Sequence, residues 1–119
     1  MAHFLIVDDS LLARHTHSNI LQEMGHETTV ACNGVEGLKL LQQAAFDAIL
    51  VDMMMPEMDG IGFLKALKES GSRVPVIVLS ADIQETKRIE CLDLGARAFL
   101  EKPAKKQKLG NLLGEVLGL

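Results

Sequence analysis

The sequence is poor in the residues that form thiolate metal sites. Its 119 residues include two cysteines and neither tryptophan nor tyrosine. Cys32 and Cys91 are far apart, no CxxC motif is present and the histidines do not cluster, so a zinc or other thiolate site is not expected. We interpret both cysteines as small core residues of a protein in a reducing cytoplasm.

The sequence also lacks the features of membrane and nucleic-acid-binding proteins. No apolar run approaches the roughly 18 residues that span a bilayer, and no signal peptide is recognisable at the N-terminus. The formal net charge is −4 and no basic stripe is present, so direct binding to nucleic acid is not expected. We therefore expect a cytoplasmic protein without membrane association.

Short apolar segments that predict β-strands alternate along the chain with segments that predict helices. This alternation indicates a parallel sheet with right-handed connections and helices on both faces. We expect an α/β fold, a flavodoxin-like doubly wound (βα)5 parallel sheet with strand order 2-1-3-4-5. The second strand carries polar residues and is expected near an edge. The predicted strands are residues 3–7, 27–31, 47–51, 76–79 and 97–101.

The helices are predicted from the spacing of apolar residues and from capping residues. The fourth helix has the least regular apolar pattern, so we expect it to be the least firmly packed. On the first helix, Leu12 and Leu21 are assigned to the apolar face, whereas His15 and His17 are interpreted as surface residues. The predicted helices are residues 10–25, 35–45, 61–71, 82–94 and 104–117.

Polar side chains follow four of the predicted strands at the point where each strand ends. Asp8 and Asp9 follow the first strand, Asp52 the third, Ser80 the fourth and Lys102 the fifth. Ligands of open parallel sheets bind outside this carboxyl edge. Strands 1 and 3 are neighbours in the expected order, so the three acids should meet there.

Three carboxylates at close range raise one another's pKa unless a cation lies among them. A site with oxygen ligands alone favours Mg²⁺, which also binds phosphate oxygens. The cluster therefore indicates phosphoryl chemistry, with Asp52 as nucleophile because aspartate can form an aspartyl phosphate. Lys102 could supply positive charge and Ser80 a hydrogen bond to the phosphoryl group.

Each of these residues also has a purely structural explanation. Asp9 and Ser80 could be turn or N-cap residues, and Lys102 could be a solvated surface charge. Their occurrence at the ends of four strands of one sheet favours a shared site.

Two other classes of protein share parts of this pattern. A phosphatase of the haloacid dehalogenase type also uses a strand-end aspartate with Mg²⁺, but it needs a second acid two residues later, where Met54 stands. A flavodoxin would bind the flavin phosphate where Asp8 and Asp9 stand, and these acids would repel it.

From end to end, the chain resembles the receiver domain of two-component response regulators. The family pattern consists of an acidic pair, an acceptor aspartate, a hydroxyl followed by a small residue, and a Lys-Pro pair. A Met-Pro-x-Met-Asp-Gly loop and a Leu-Gly-Ala sequence are also typical of the family. The matching residues are Asp8-Asp9, Asp52, Ser80-Ala81, Lys102-Pro103, Met55 to Gly60 and Leu94 to Ala96.

The resemblance implies that Asp52 accepts a phosphoryl group from a histidine kinase or a histidine phosphotransfer protein. It implies that Mg²⁺ is held by Asp9, Asp52 and the main-chain carbonyl of Met54, with Asp8 acting through water. The protein would catalyse only its own phosphorylation and dephosphorylation and would otherwise not be an enzyme.

The resemblance also implies roles around the phosphoryl group. Lys102 and Ser80 would contact it, together with main-chain N–H groups, for which we take Met54 and Ala81. The Lys102-Pro103 peptide bond is expected to be cis. Ser80 would turn toward the phosphate, and Phe99 would swing inward as a switch. Chemotaxis members usually have tyrosine at this position.

The output face implied by the resemblance consists of the fourth helix, the fifth strand and the fifth helix. A downstream protein would bind there; Lys105, Lys106 and Lys108 could meet an acidic partner or could simply be solvated.

We expect a single receiver domain over residues 1–119, which is a monomer or becomes a dimer on phosphorylation. A chemotaxis-type regulator that stands alone is favoured, because no linker follows the last helix. The alternative is a receiver cut from a longer protein with an effector domain.

Overall fold

The computed structural model describes residues 2–118, which form a central β-sheet with helices on both faces. The strands are β1 (His3–Val7), β2 (Glu27–Ala31), β3 (Ala48–Asp52), β4 (Val76–Ser80) and β5 (Ala98–Glu101). They are all parallel and lie in the order β2-β1-β3-β4-β5. The predicted fold class and strand order are confirmed, and the polar β2 lies at an edge.

The helices alternate with the strands along the chain. They are α1 (Leu11–Glu23), α2 (Gly34–Gln43), α3 (Gly60–Ser70), α4 (Glu85–Asp93) and α5 (Lys106–Leu117). Ser10 caps α1 as predicted, since its hydroxyl accepts a hydrogen bond from the N–H of Ala13. No helix within residues 2–118 is long and apolar enough to cross a membrane.

Two hydrophobic clusters lie on opposite faces of the sheet, because successive side chains of a strand point to opposite sides. Every residue of β3 and β4 is buried, which accounts for the apolar run that precedes the polar last residue of each strand. One cluster contains Leu5, Val7, Ile49 and Val51, and the other contains Phe4, Ile6, Leu50 and Ile77.

Helix α4 begins at Glu85, three residues later than the predicted start at residue 82. The chain first makes a turn, in which the N–H of Asp82 donates to the Ser80 hydroxyl and the N–H of Gln84 donates to the Asp82 carboxylate. These polar groups satisfy the backbone outside a helix. Cys91 is the buried residue of α4, in agreement with the weak packing expected from its sequence.

Three residue assignments made from the sequence are wrong. The buried face of α1 consists of Ala13, His17 and Leu21, which are spaced four residues apart. His17 is therefore fully buried instead of lying on the surface, and Leu12 is 75% exposed instead of facing the core. Cys32 is exposed, whereas Cys91 is a core residue as predicted.

Candidate functional site

The register of the sheet brings two aspartates together at its carboxyl edge. Val7 of β1 pairs with Val51 of β3, so the next residues, Asp8 and Asp52, emerge side by side. Both are nearly inaccessible to solvent, whereas the adjacent Asp9 is exposed. One carboxylate oxygen from each of these acids lies within 4.8 Å of the others. The cluster predicted from the sequence is therefore formed.

Lys102 extends from the end of β5 to the same cluster. Its Nζ atom lies 2.8 Å from Oδ2 of Asp8 and 3.2 Å from Oδ2 of Asp52. Its backbone N–H donates to the carbonyl of Ser80 at 2.8 Å, which fixes the lysine beside β4. The Lys102-Pro103 bond is cis, as the resemblance implies. The four residues Asp8, Asp9, Asp52 and Lys102 are called the charge site below.

Burial and neighbouring charges shift the pKa values of Asp52 and Lys102. Burial raises the pKa of Asp52, and the neighbouring Asp8 raises it further, while Lys102 and the backbone N–H of Met54 act in the opposite direction. Burial alone would lower the pKa of Lys102, but its hydrogen bond to Asp8 and the charges of both aspartates raise it overall. The lysine therefore remains an ammonium ion between two carboxylates.

Asp8 is fixed by contacts with α1. One of its carboxylate oxygens accepts a hydrogen bond from the N–H of Ser10 at 2.9 Å. The guanidinium of Arg14 donates to the backbone carbonyl of Asp8 at 2.8 Å. Arg14 was not singled out from the sequence, although its position one turn into a helix that follows the acidic pair could have indicated it. These contacts fix Asp8 relative to α1.

Ser80 ends β4 and is completely buried. Its hydroxyl donates to the backbone carbonyl of Asp82 at 2.6 Å and accepts from the N–H of Asp82 at 3.1 Å. The hydroxyl is thus bonded to the β4–α4 loop. The next residue, Ala81, is exposed, so its backbone is near solvent at the carboxyl edge of the sheet.

The loop after β3 passes close behind Asp52. The N–H of Gly60 donates to the carbonyl of Met53 at 2.8 Å, and a side chain at Gly60 would come within 2.9 Å of the Met53 backbone. Glycine is therefore required at this close approach. The side chain of Met54 is exposed. Because a thioether cannot donate a proton, Met54 cannot act as the second acid that a phosphatase of the haloacid dehalogenase type needs.

The acidic cluster fits a magnesium ion by the chemistry of its donors. Asp8, Asp9 and Asp52 offer carboxylate oxygens, no thiol or imidazole is among them, and hard cations prefer such ligands. Lys102 contacts one oxygen of Asp8 and one of Asp52, which leaves the other oxygen of each carboxylate outside its ion pairs. The exposed Asp9 keeps the cluster open to solvent.

A second feature lies beside this edge, between α4, β5 and α5. A groove of about 350 Å³ is lined by residues of all three elements. Phe99 is partly buried and packs against the hydrophobic cluster on its side of the sheet. We call this surface the α4–β5–α5 face; among its lining residues are Ile83, Arg88, Phe99, Lys105 and Lys108.

A buried acidic cluster with a lysine at the carboxyl edge of a 2-1-3-4-5 sheet defines a receiver-like α/β protein. Residues 4–113 match the family described as response regulator receiver domain. The chain belongs to this family and is a receiver domain of two-component response regulators.

Relatives of the chain differ in size and output. Chemotaxis protein CheY4 of Vibrio cholerae is 36% identical, covers 98% of either chain and superposes with a TM-score of 0.90. A probable transcriptional regulatory protein of Picosynechococcus is 35% identical, over 91% of this chain and 46% of its own length. A protein-glutamate methylesterase/protein-glutamine glutaminase of Treponema denticola is 39% identical, over 84% of this chain and 28% of its own length. The chain thus spans about half or less of the curated relatives' length.

Proposed function

We propose that Asp52 accepts a phosphoryl group from the phosphohistidine of a histidine kinase or a histidine phosphotransfer protein. The observation that supports this role is the position of the Lys102 ammonium between the buried carboxylates of Asp8 and Asp52. In the transfer, a carboxylate oxygen of Asp52 forms the new O–P bond. The N–P bond of the donor breaks, and its electron pair remains on the donor imidazole.

Asp9, Asp52 and the main-chain carbonyl of Met54 would hold Mg²⁺, with Asp8 acting through water. When bound, the ion offsets the negative charge of the phosphoryl oxygens. Asp8 is already engaged by Lys102 and by the N–H of Ser10, which agrees with an indirect role. Lys102 and the N–H of Met54 favour the carboxylate form of Asp52, against the rise of its pKa that burial and Asp8 cause.

Lys102 would form an ion pair with a phosphoryl oxygen while its ammonium stays near Asp8. The backbone N–H groups of Met54 and Ala81 would donate to the other oxygens, since both residues follow a strand that ends at the charge site. This division of roles suits phosphoryl transfer, in which the protein mainly positions groups and stabilises charge.

The switch would begin at Ser80. Its hydroxyl would leave the backbone of Asp82, to which it is bonded in this structure, and donate to the phosphoryl group. The β4–α4 loop would then move toward the site, and Phe99 would turn inward behind it. A local charge change thereby biases an element with two arrangements.

The α4–β5–α5 face would bind the downstream protein. Lys105 and Lys108 line its groove together with Glu101 and the ion pair of Arg88 with Glu85. The two lysines suit an acidic segment of a downstream protein, whereas Lys106 pairs with Glu23 on α1. We propose that the protein is a cytoplasmic, chemotaxis-type regulator whose single receiver domain covers residues 1–119. It would make no direct contact with nucleic acid and would catalyse only its own phosphorylation and dephosphorylation. It would be monomeric, with dimerisation possible on phosphorylation.

Intact-mass measurement after incubation with acetyl phosphate tests the acceptor role. The wild type should gain one phosphoryl group in the presence of Mg²⁺ and none in its absence, and Asp52→Asn should gain none. Asp93→Asn is a matched control, because it removes an exposed carboxylate on α4 and should be phosphorylated like the wild type. A wild type that gains no phosphoryl group, or an Asp52→Asn variant that does, would contradict the proposal.

A further inference from the structure

The imidazole of His17 is fully buried on the inner face of α1, a position that the acceptor chemistry does not explain. Its Nε2 atom accepts a hydrogen bond of 3.1 Å from the backbone N–H of Ala104. An accepting Nε2 carries no proton, so the ring is neutral with its proton on Nδ1. Burial also lowers the pKa of His17, which agrees with a neutral ring.

The hydrogen bond to Ala104 is the directed polar contact of the His17 side chain, because the other ring nitrogen makes none within the described residues. Nδ1 is buried without a hydrogen-bond partner in the described residues. The backbone of Ala13, one turn earlier on α1, favours the protonated ring, against the effect of burial. His17 therefore connects α1 to one specific point, the second residue after Lys102.

An open groove of about 290 Å³ lies beside that point, between α1 and the Lys102-Pro103 segment, and is lined by Ala13, Thr16 and His17 on the helix side. Ala104 itself is buried. Two hydrogen bonds donated by the backbone of the segment give it a fixed direction: Lys102 N–H to the Ser80 carbonyl and Ala104 N–H to His17.

The same helix also fixes the acidic partner of Lys102. The Ser10 N–H binds the Asp8 carboxylate, and Arg14 binds the Asp8 carbonyl. Helix α1 thus contacts Asp8 at its first turn and the Lys102 segment two turns later. We infer that His17 is a positioning residue, whose hydrogen bond to Ala104 N–H places the Lys102 ammonium between Asp8 and Asp52 for phosphoryl transfer.

This role rests on the proposed function, and the rate of phosphorylation by acetyl phosphate at saturating Mg²⁺ tests it. His17→Leu removes the acceptor, and phosphorylation should slow about tenfold because small displacements of a positioned group have large effects on rate. His17→Gln retains an acceptor and should recover most of the rate. Leu21→Val, a buried change on the same helix, should destabilise the fold without changing the rate.

A double-mutant cycle separates positioning from general stability. In the Lys102→Ala background, His17→Leu should cause no further loss of rate, since the group that it positions is already absent. An equal loss in both backgrounds, or a His17→Leu rate that matches Leu21→Val, would overturn the inference.

Amide hydrogen exchange in metal-free protein tests the same contact without any phosphorylation. His17→Leu should accelerate exchange at Ala104 and Lys102 at least tenfold, and Leu21→Val should not do so selectively. If the wild type takes no phosphoryl group, the proposed function fails, while the exchange result still decides whether His17 holds the Lys102 segment. Unchanged exchange at Lys102 would show that it does not.

Discussion

The charge site and the α4–β5–α5 face belong to one sheet but differ in packing. Asp8 follows β1 and Asp52 ends β3, two strands whose residues are almost all buried. Three of the four residues of β5 are only partly buried, the fourth is exposed, and Cys91 is the buried residue of α4. The first region holds its groups in place, and the second has little burial to resist movement.

This difference suits a protein in which chemistry in one region alters another. Groups that bind a phosphoryl group must be positioned before it arrives. The two buried carboxylates of the charge site stand at the best-packed strands, whereas Lys102 follows β5. Elements that change their arrangement come from the less stable parts of a fold. Ser80 joins the two regions, because it ends the buried β4 and its hydroxyl binds the loop that leads into α4.

The largest change in stability is expected on removal of the Lys102 charge. Lys102→Ala leaves Asp8 and Asp52 buried without their cation and should lower the free energy of unfolding by about 3 kcal/mol in metal-free buffer. Added Mg²⁺ should restore part of the loss. Urea unfolding would measure both effects. Lys106→Ala is the control, since its ion pair with Glu23 is exposed and should have little effect.

Magnesium should stabilise the charge site by mass action. At a Mg²⁺ concentration ten times the dissociation constant, the wild type should gain about 1.4 kcal/mol, measurable as a rise in melting temperature. Asp9→Ala should gain much less because it lacks one ligand. Asp93→Ala, which removes an exposed acid far along α4, should gain as much as the wild type. Equal gains in Asp9→Ala and the wild type would remove Asp9 from the metal site.

The same isoleucine-to-valine substitution in β4 and in α4 directly compares the packing of a strand in the buried sheet with that of the helix on the α4–β5–α5 face. Ile77→Val removes one methylene group from the fully buried β4 and should lower the free energy of unfolding by about 1 kcal/mol. Ile89→Val makes the same change on α4, where the side chain is 47% exposed, and should have almost no effect. Similar losses in denaturant unfolding would contradict the difference in packing.

The smallest effect is expected for Asp52→Asn in metal-free buffer. Because the pKa of Asp52 is raised in the folded protein, its ionised form opposes folding, and the neutral amide should raise the melting temperature slightly. The gain should be greatest above the raised pKa and should disappear below the ordinary value of 3.8. A lower melting temperature than that of the wild type at neutral pH would contradict the crowded acidic site.

The strands and the charge site could be predicted from the sequence because both depend on local patterns. Buried parallel strands are continuous apolar runs, and strand order brings Asp8, Asp52 and Lys102 to one edge.

The start of α4 could not be predicted, because the Ser80 hydroxyl and the Asp82 carboxylate satisfy backbone groups before the helix. His17 was misassigned because its partner, Ala104, is 87 residues away in the chain; the four-residue spacing with Ala13 and Leu21 was the available signal.

The predicted start of α5 is also wrong. The predicted helix begins at Ala104, but the observed helix begins at Lys106. Lys105 has an extended backbone at the N-cap position, so the helix cannot include it. Helical spacing alone therefore places the boundary two residues too early.

Hydrogen exchange with and without the phosphoryl analogue beryllofluoride, in the presence of Mg²⁺, tests most directly whether the charge site controls the α4–β5–α5 face. Strands β1 and β3 should keep the same slow exchange, while the rates in α4, β5 and the start of α5 should change. Asp52→Asn should show no change. Analogue binding that leaves exchange in α4 and β5 unaltered, or an identical response in Asp52→Asn, would show that the charge site does not control the α4–β5–α5 face.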